Sequence, residues 1–329
     1  MPLVATPYDA SFRDEWNAFV ATSRQGTFLF DRRFMDYHSD RFRDASLLVR
    51  DERKGSLVAL LPANVARANE HCIQSHGGLT YGGLLTHTSA SAVMVGEALE
   101  ACMSLYRQQS YRTLTYKPVP HIYHTCPAEE DLYWLHRLDA RLTHRSVSSA
   151  IRLADAPPFS ELRRRKVHKA ERSGELTLSA ADAWLPAYWD VLTQVLTSRH
   201  ATRPVHTLEE ITRLARSFPR NIRLLVALKG GREDGDTPHV VAGCLLFVMP
   251  RVVHVQYIAA SDEGRDVGAL DWIFNHLVAD VPHQWPLVAY LDFGISTEQG
   301  GRVLNEGLIF QKEGFGARGI CYDEYELSL

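Results

Sequence analysis

The 329-residue chain carries 36 Lys and Arg against 39 Asp and Glu, a net charge of −3 with histidine neutral, so no global field draws it to nucleic acid or an anionic membrane. Its 45% apolar and 23% charged residues are an ordinary globular composition, and its length suits two modules, each able to bury a core without metals or disulfides. Five scattered cysteines (Cys72, Cys102, Cys126, Cys244 and Cys321) with no C-x-x-C pair fit a reducing compartment, the cytoplasm, and neither a signal peptide nor a membrane span is expected.

Trp16, Phe19 and Val20 fall at helical spacing between Asp14 and Ser23, and Asp31 is placed to cap a helix carrying Phe34, Met35 and Tyr37. Two strands are expected at Ser46 to Arg50 and Ser56 to Leu61, joined by the hairpin DERKG. Ser75 to Leu85, SHGGLTYGGLL, packs four glycines around Leu79 and Tyr81 and reads as a bent strand or a loop of close backbone approach. Val93, Val95, Ala98, Leu99, Cys102, Met103 and Tyr106 predict a helix over Ala90 to Gln109, followed by the strand YRTLTYKPV and a further strand ending near Leu153.

Pro157 and Pro158 interrupt the chain and Ser160 can cap a new helix, so the boundary is drawn there, giving modules 1–156 and 157–329. The second half begins with a basic helix from Ser160 to Arg172 that stops at Gly174, then the strand LTLSA and helices near Leu185 to Ser198 and Leu208 to Ser217. NIRLLVALK, HVVAGCLLFVMP and RVVHVQYIAAS are strand-length apolar runs joined by GGREDGDTP and a tight turn at Pro250 and Arg251, an antiparallel meander. Leu270, Ile273, Phe274, Leu277 and Val278 then form the strongest helical stripe in the chain, over Ala269 to Ala279. The strand PLVAYLDFG, a helix from about Gly301 to Lys312 and the extended ARGICYDEYELSL complete the order.

That order resembles the GNAT acyltransferase fold, in which a Q/R-x-x-G-x-G/A loop opens the helix after the fourth strand. Here Arg265, Asp266, Val267, Gly268 and Ala269 match it, with Leu270 where the last small residue would stand. Unpaired N–H groups at a helix N-terminus hold anions, and glycine admits a pyrophosphate to the backbone, so the resemblance implies an acyl-CoA site at these residues. A plain helix start is the competing reading. The closing stretch DFGISTEQGGRVLNEGLIFQKEGFGARG is similar to the tandem-GNAT group that includes the Fem-type peptidoglycan-bridge aminoacyltransferases, whose C-terminal helix ends in F-K-x-x-F-G. Lys312, Phe315 and Gly316 match, and Gln311 stands at the phenylalanine. The expected fold is therefore α/β (α+β): two tandem GNAT-like modules, each a mixed, largely antiparallel twisted sheet flanked by helices.

The tyrosine that serves as general acid in simpler GNAT enzymes is replaced by Phe310. Lys312 can instead stabilise a tetrahedral oxyanion, or simply favour the helix dipole. His254 is a candidate base on the strand before the R-x-x-G loop, and strict alternation puts His254 and Gln256 on one face and Tyr257 on the other. The resemblance also implies that Tyr257 and Ile258 meet the donor's amide arm. Asp292 ends a buried strand, as a second base, an orienting carboxylate or a turn-forming Asp before glycine. In the first module His76, Tyr81, Gly82 and Gly83 are candidates for the acceptor side of a cleft. Arg165, Lys169 and Arg172 share a helix face, to grip phosphates or to be solvated. His121, His124 and Cys126 have no evident fourth ligand, so no metal is expected. P-loop, serine-hydrolase and zincin motifs are missing from the sequence.

These residues point to transfer of an acyl group from a thioester, acyl-CoA or acyl-carrier protein, to an amine on a small molecule, sugar or peptide. Fem-like aminoacyl transfer from charged tRNA to a cell-wall precursor or peptide is the second enzymatic reading, although neutral overall charge is a weak footprint for tRNA. A non-catalytic GNAT-fold binding module is the third.

Overall fold

The structure, a computed structural model, describes residues 2–231 and 236–329. The connector GGREDGDTP falls partly outside the described residues. The chain divides into two compact units: the first takes the residues up to Val147 with 297–303 and 320–329, and the second takes 148–296 with 304–319. The first crossing lies at Val147/Ser148, within strand Arg141–Arg152, rather than at 156/157, and the C-terminal strand returns to the first unit. The prolines at 157 and 158 do interrupt secondary structure, but they do so inside the second unit.

In the first unit, strands Leu3–Pro7, Leu47–Asp51, Leu57–Leu61 and Leu85–Thr86 make a four-stranded antiparallel sheet. Strands Asn64–Ala66, Asn69–Gln74 and Thr113–Tyr116 belong to a second sheet, in which Tyr325–Ser328 pairs antiparallel with Thr113–Tyr116. Helix Ala92–Gln108, capped by Ser91, lays Val95, Ala98, Leu99, Cys102, Met103 and Tyr106 into the core beside Leu47, Val49 and Leu61. Each fully buried Leu or Val there contributes about 1.5–3 kcal/mol.

The sheet of the second unit runs from the end of Arg141–Arg152 through Tyr290–Ile295, Val252–Ala260, His239–Val248 and Ile222–Lys229 to Leu176–Ser179. Every neighbouring pair is antiparallel except Val252–Ala260 with Tyr290–Ile295. That pair is parallel because helix Ala269–Gln284 carries the chain back across the sheet between them. The helix buries Ile273, Phe274, Leu277 and Val281 against Val253, Val255, Leu291 and Phe293. Helix Leu185–His200 covers the other face, where Tyr188 presses on Gly243 so closely that a Cβ there would stand 2.7 Å from its ring.

The helix expected from Gly301 begins only at Glu306. Gln299, Gly300 and Gly301 all have positive φ, which makes a turn, and Asn305 then caps the helix by accepting the Leu308 N–H at 3.0 Å. Among the described residues, no helix is long and apolar enough to cross a membrane.

Candidate functional site

The parallel ladder between Val252–Ala260 and Tyr290–Ile295 has three rungs and ends at His254 opposite Asp292. Beyond that rung the strands part, and Gln256, Tyr257 and Ile258 are half-buried while Val255 before them and Ala259 after them are buried. The last rung is polar. His254 Nδ1 lies 2.9 Å from Asp292 Oδ2, and the other carboxylate oxygen accepts from Ser148 Oγ and from the Gly294 N–H at 3.1 Å. Asp292 is fully buried and His254 nearly so. A carboxylate at this depth is tolerated because several donors face it. Accepting from His254, it places the imidazole proton on Nδ1 and leaves Nε2 as the basic nitrogen. Asp292 thus makes the turn contact expected of an Asp before glycine and orients His254 as well.

Gly294 has φ +76°, and a Cβ built on it would approach His254 Cε1 to 3.4 Å. The glycine therefore lets the strand end fold over the imidazole edge. Lys312, from helix Glu306–Glu313, fixes that strand end: Nζ donates to the carbonyls of Gly294 at 2.8 Å and Ile295 at 2.9 Å. Its side chain is buried, and burial pushes its ammonium down to about 8, opposed by the nearby Asp292 charge. Phe315 of K-x-x-F-G anchors the helix end in the core, stacked on Phe293 with ring centroids 5.7 Å apart, whereas Phe310 is exposed.

The sequence expectation for the neighbouring residues needs correction. The register shifts between Leu245 and Leu246, so that Tyr257 faces Leu245 and His254 faces Phe247, with Gln256 as the extra residue of a β-bulge. Leu245 and Phe247 share a face of their strand, and His254 and Tyr257 therefore share one too. Tyr257 stacks edge-on against Trp189, and its hydroxyl lies 2.7 Å from His206 Nδ1. Burial raises the Tyr257 phenol pKa.

Arg265 to Ala269 occupy the place the GNAT loop implies, with Gly268 and Ala269 buried and Asp266 exposed. Asp262–Asp266 forms a short helix capped by Ser261; the N–H groups of Arg265, Val267 and Gly268 bond to Ser261, Glu263 and Arg265 carbonyls. Gly268 is the left-handed N-cap of Ala269–Gln284, and its Cβ position lies 2.9 Å from the Lys166 carbonyl. Lys169 Nζ donates to the Asp266 carbonyl at 2.6 Å, and buried Arg163 donates to Asp271 in the first turn of the helix at 3.0 Å. Helix Glu161–Ser173 thus packs on Gly268 at the start of helix Ala269–Gln284.

In the first unit, Gly82 packs against the Ser75 carbonyl, Gly83 takes φ +81° beside the Tyr116 hydroxyl, and Tyr81 is a core ring against Phe30 and Tyr123. Their close contacts are internal. His76 has φ +51°, is buried, and stacks on His38 at 5.3 Å. Burial and surrounding cations depress the pKa of both imidazoles, that of His38 to about 4. Ser148 and His206, the partners of Asp292 and Tyr257, were not singled out in the sequence, and no local pattern marks either.

Residues 161–299 match the family model described as an acetyltransferase (GNAT) domain. More particularly, the fold is similar to that of three solved proteins. The crystal structure of FemX superposes with TM-score 0.69 at 11% identity, over 99% of this chain and 97% of that one. L-PGS from Bacillus licheniformis gives 0.59 at 13% identity over 96% and 91%. A tandem GNAT protein from the clavulanic acid biosynthesis pathway gives 0.51 at 13% over 99% and 98%. No curated protein sequence matches the chain.

Proposed function

We propose that this protein transfers an acyl group from a thioester, acyl-CoA or acyl-carrier protein, directly to an amine of a small molecule, sugar or peptide, in the second unit. The observation that carries the reading is the His254–Asp292 contact at the rung where the parallel ladder ends. His254 Nε2 removes a proton from the acceptor ammonium, with Asp292 stabilising the imidazolium that results. The amine nitrogen attacks the thioester carbonyl, the tetrahedral oxyanion collapses, the C–S bond breaks, and the thiolate leaves to take up a proton. Lys312, held at the Gly294 and Ile295 carbonyls, supplies positive charge beside this rung. Tyr257 and Ile258 offer the strand edge beyond the last rung to the donor's arm. The first unit, with His76 in its strained loop, serves the acceptor side or is structural. Five unpaired cysteines favour a reducing, cytoplasmic setting.

Fem-like aminoacyl transfer from charged tRNA is the second reading, favoured by the basic helix Glu161–Ser173 and the K-x-x-F-G ending. The near-neutral charge of the chain weighs against it. The test is transfer from acetyl-CoA, acetylated carrier protein and charged tRNA to a panel of amines, read by thiol release and by product mass, for the wild type and His254→Asn. Transfer by the wild type that survives unchanged in His254→Asn removes the assigned base, and transfer only from charged tRNA removes the thioester donor.

A further inference from the structure

The first unit holds a polar cluster that neither its core nor the reaction rung explains. His76, at φ +51°, keeps a backbone conformation that side chains rarely adopt, in a loop tied down on both sides of it: Ser75 N–H donates to the Thr115 carbonyl at 2.8 Å and Gly77 N–H to Asn64 Oδ1 at 2.6 Å. Its imidazole stacks on that of His38, and the two residues are only 4% and 2% exposed. Nδ1 of His76 and both ring nitrogens of His38 are enclosed without a hydrogen bond of ordinary geometry among the described residues, although the Met35 and Gly78 carbonyls lie close to His38. Buried polar groups are nearly always satisfied, and Phe42, whose ring packs against both imidazoles, supplies no partner.

Lys117 brackets the same loop. Its N–H donates to Ser75 Oγ and its Nζ to the Leu79 carbonyl, both at 2.7 Å, so the side chain runs along residues 75–79. The ammonium thus uses one of its three N–H groups, and the Glu324 charge acts on it without an ion pair. At His76 the charges felt are those of Lys117 and Arg32, both positive, and at His38 Arg41 outweighs Asp40. Arg32 is engaged already, with Asp36 and Asp44.

We infer that His76, His38 and Lys117 form a binding site for a small oxyanion, the carboxylate or phosphate group of a small molecule, at loop 75–79. An ammonium with N–H groups to spare and two imidazoles able to become double donors are the groups that hold such oxygens. A neutral ligand would leave Lys117 without an opposite charge, and a cation would be repelled by it. Glycine keeps side chains off the rings, since a Cβ on Gly78 would stand 2.7 Å from His38 Nε2, and the flanking Gly77 and Thr80 are exposed, so the cluster lies just beneath the surface. Burial, with the neighbouring cations, holds both imidazoles neutral near pH 7, His38 titrating at about 4. A bound anion favours the imidazolium, so binding takes up a proton. All three residues belong to the first unit, and the inference stands apart from the acyl-transfer reading.

NMR of the histidine rings in the whole protein, titrated with sodium acetate and with sodium sulfate at constant ionic strength, tests the inference. Sulfate stands for a phosphate group without titrating itself, and calorimetry in two buffers of different ionisation enthalpy counts the protons. The expected result is that the His38 and His76 signals move together as one of the anions binds, with about one proton taken up and affinity rising about tenfold between pH 7 and pH 6. A response to acetate assigns the site to a carboxylate, and a response to sulfate assigns it to a phosphate. Lys117→Met should lower the affinity about 10–100-fold, and His76→Asn, which tolerates the left-handed backbone, should lower it as well. Arg172→Gln, which removes an exposed cation of the second unit, should bind as the wild type does. Ring signals that stay fixed with both anions, affinity that is flat with pH, or an equal loss in Arg172→Gln overturns the site and leaves the His254 assignment to its own assay.

Discussion

Lys312→Met separates a clamp from a catalytic charge, because the structure sets the size of each effect. The ammonium is buried and serves two carbonyls at the end of strand Tyr290–Ile295. Removing it leaves both acceptors without that donor, at about 1–3 kcal/mol each, partly offset by the apolar burial of Met, for a net loss of about 2–4 kcal/mol. A lysine that only favoured a helix dipole would cost about 0.3–1 kcal/mol. The depressed pKa gives a second signature. The gap between 10.5 and about 8 corresponds to roughly 3 kcal/mol of disfavoured charging in the folded state. Between those values the unfolded chain keeps a proton that the folded chain has released, so the contribution of Lys312 to stability rises with pH across that window.

Urea unfolding of both proteins between about pH 7.5 and 10 reads this directly. The wild-type advantage over Lys312→Met should grow with pH by up to about 3 kcal/mol. Lys117, also depressed to about 8, is common to both proteins and cancels in the difference. A neutral amine still has two N–H groups for the two carbonyls but none for an oxyanion, so any turnover that needs Lys312 should fall above about pH 8 while the fold is held more firmly. A difference that is flat with pH, or a total loss below about 1 kcal/mol, would refute the burial argument.

His254→Asn should lower kcat/KM by about 10²–10⁴-fold in the thiol-release assay, the range for loss of a general base, and Asp292→Asn should lower it less while also reducing the unfolding temperature, because a buried acceptor of several donors is changed. Stability should fall as pH drops from about 6.5 toward 4, since His38 titrates at about 4 when folded and takes up its proton sooner when unfolded; calorimetric melting of His38→Phe should show a flatter acid limb than the wild type. Gly268→Val should cost about 2 kcal/mol or more, from positive φ and contact with the Lys166 carbonyl; urea unfolding that finds the variant as stable as the wild type contradicts the packing of helix Glu161–Ser173.

What was legible in the sequence follows the range of the interaction that carries it. The stripe Leu270, Ile273, Phe274, Leu277 and the caps Asp31 and Ser160 are local signals, and the elements formed where those signals stand. Alternation along Val252–Ala260 was misleading because the bulge at Gln256 depends on pairing with another strand. The helix expected from Gly301 failed locally, since consecutive glycines at positive φ outweigh an apolar pattern and Asn305 is the better cap. His254, Lys312 and Asp292 were legible as candidates from their places on elements, but the pairing of His254 with Asp292 and the hold of Lys312 on the Gly294 and Ile295 carbonyls were not, because each joins separate elements. The R-x-x-G words were legible too, whereas the helix that packs on them contributes Lys166 and Lys169 from about a hundred residues earlier.

The turn at 265–269 and the polar rung bear on each other. A sheet that needed only to close could place apolar residues at its last parallel rung, as it does with Val253 and Leu291 one step earlier. Instead it buries a carboxylate and an imidazole, an arrangement that well-packed apolar side chains of similar size commonly match or exceed in stability. Stability therefore gives no reason for His254 and Asp292, while an imidazole held in one tautomer beside a parting pair of strands has a chemical one. The turn at 265–269 shows the opposite pattern. The N–H groups of Arg265, Val267 and Gly268 bond to backbone carbonyls, the glycine is pressed by the Lys166 carbonyl, and Arg163 is buried against Asp271. The packing of helix Glu161–Ser173 on the turn gives Gly268 and Arg163 a structural reason of the kind that the polar rung lacks.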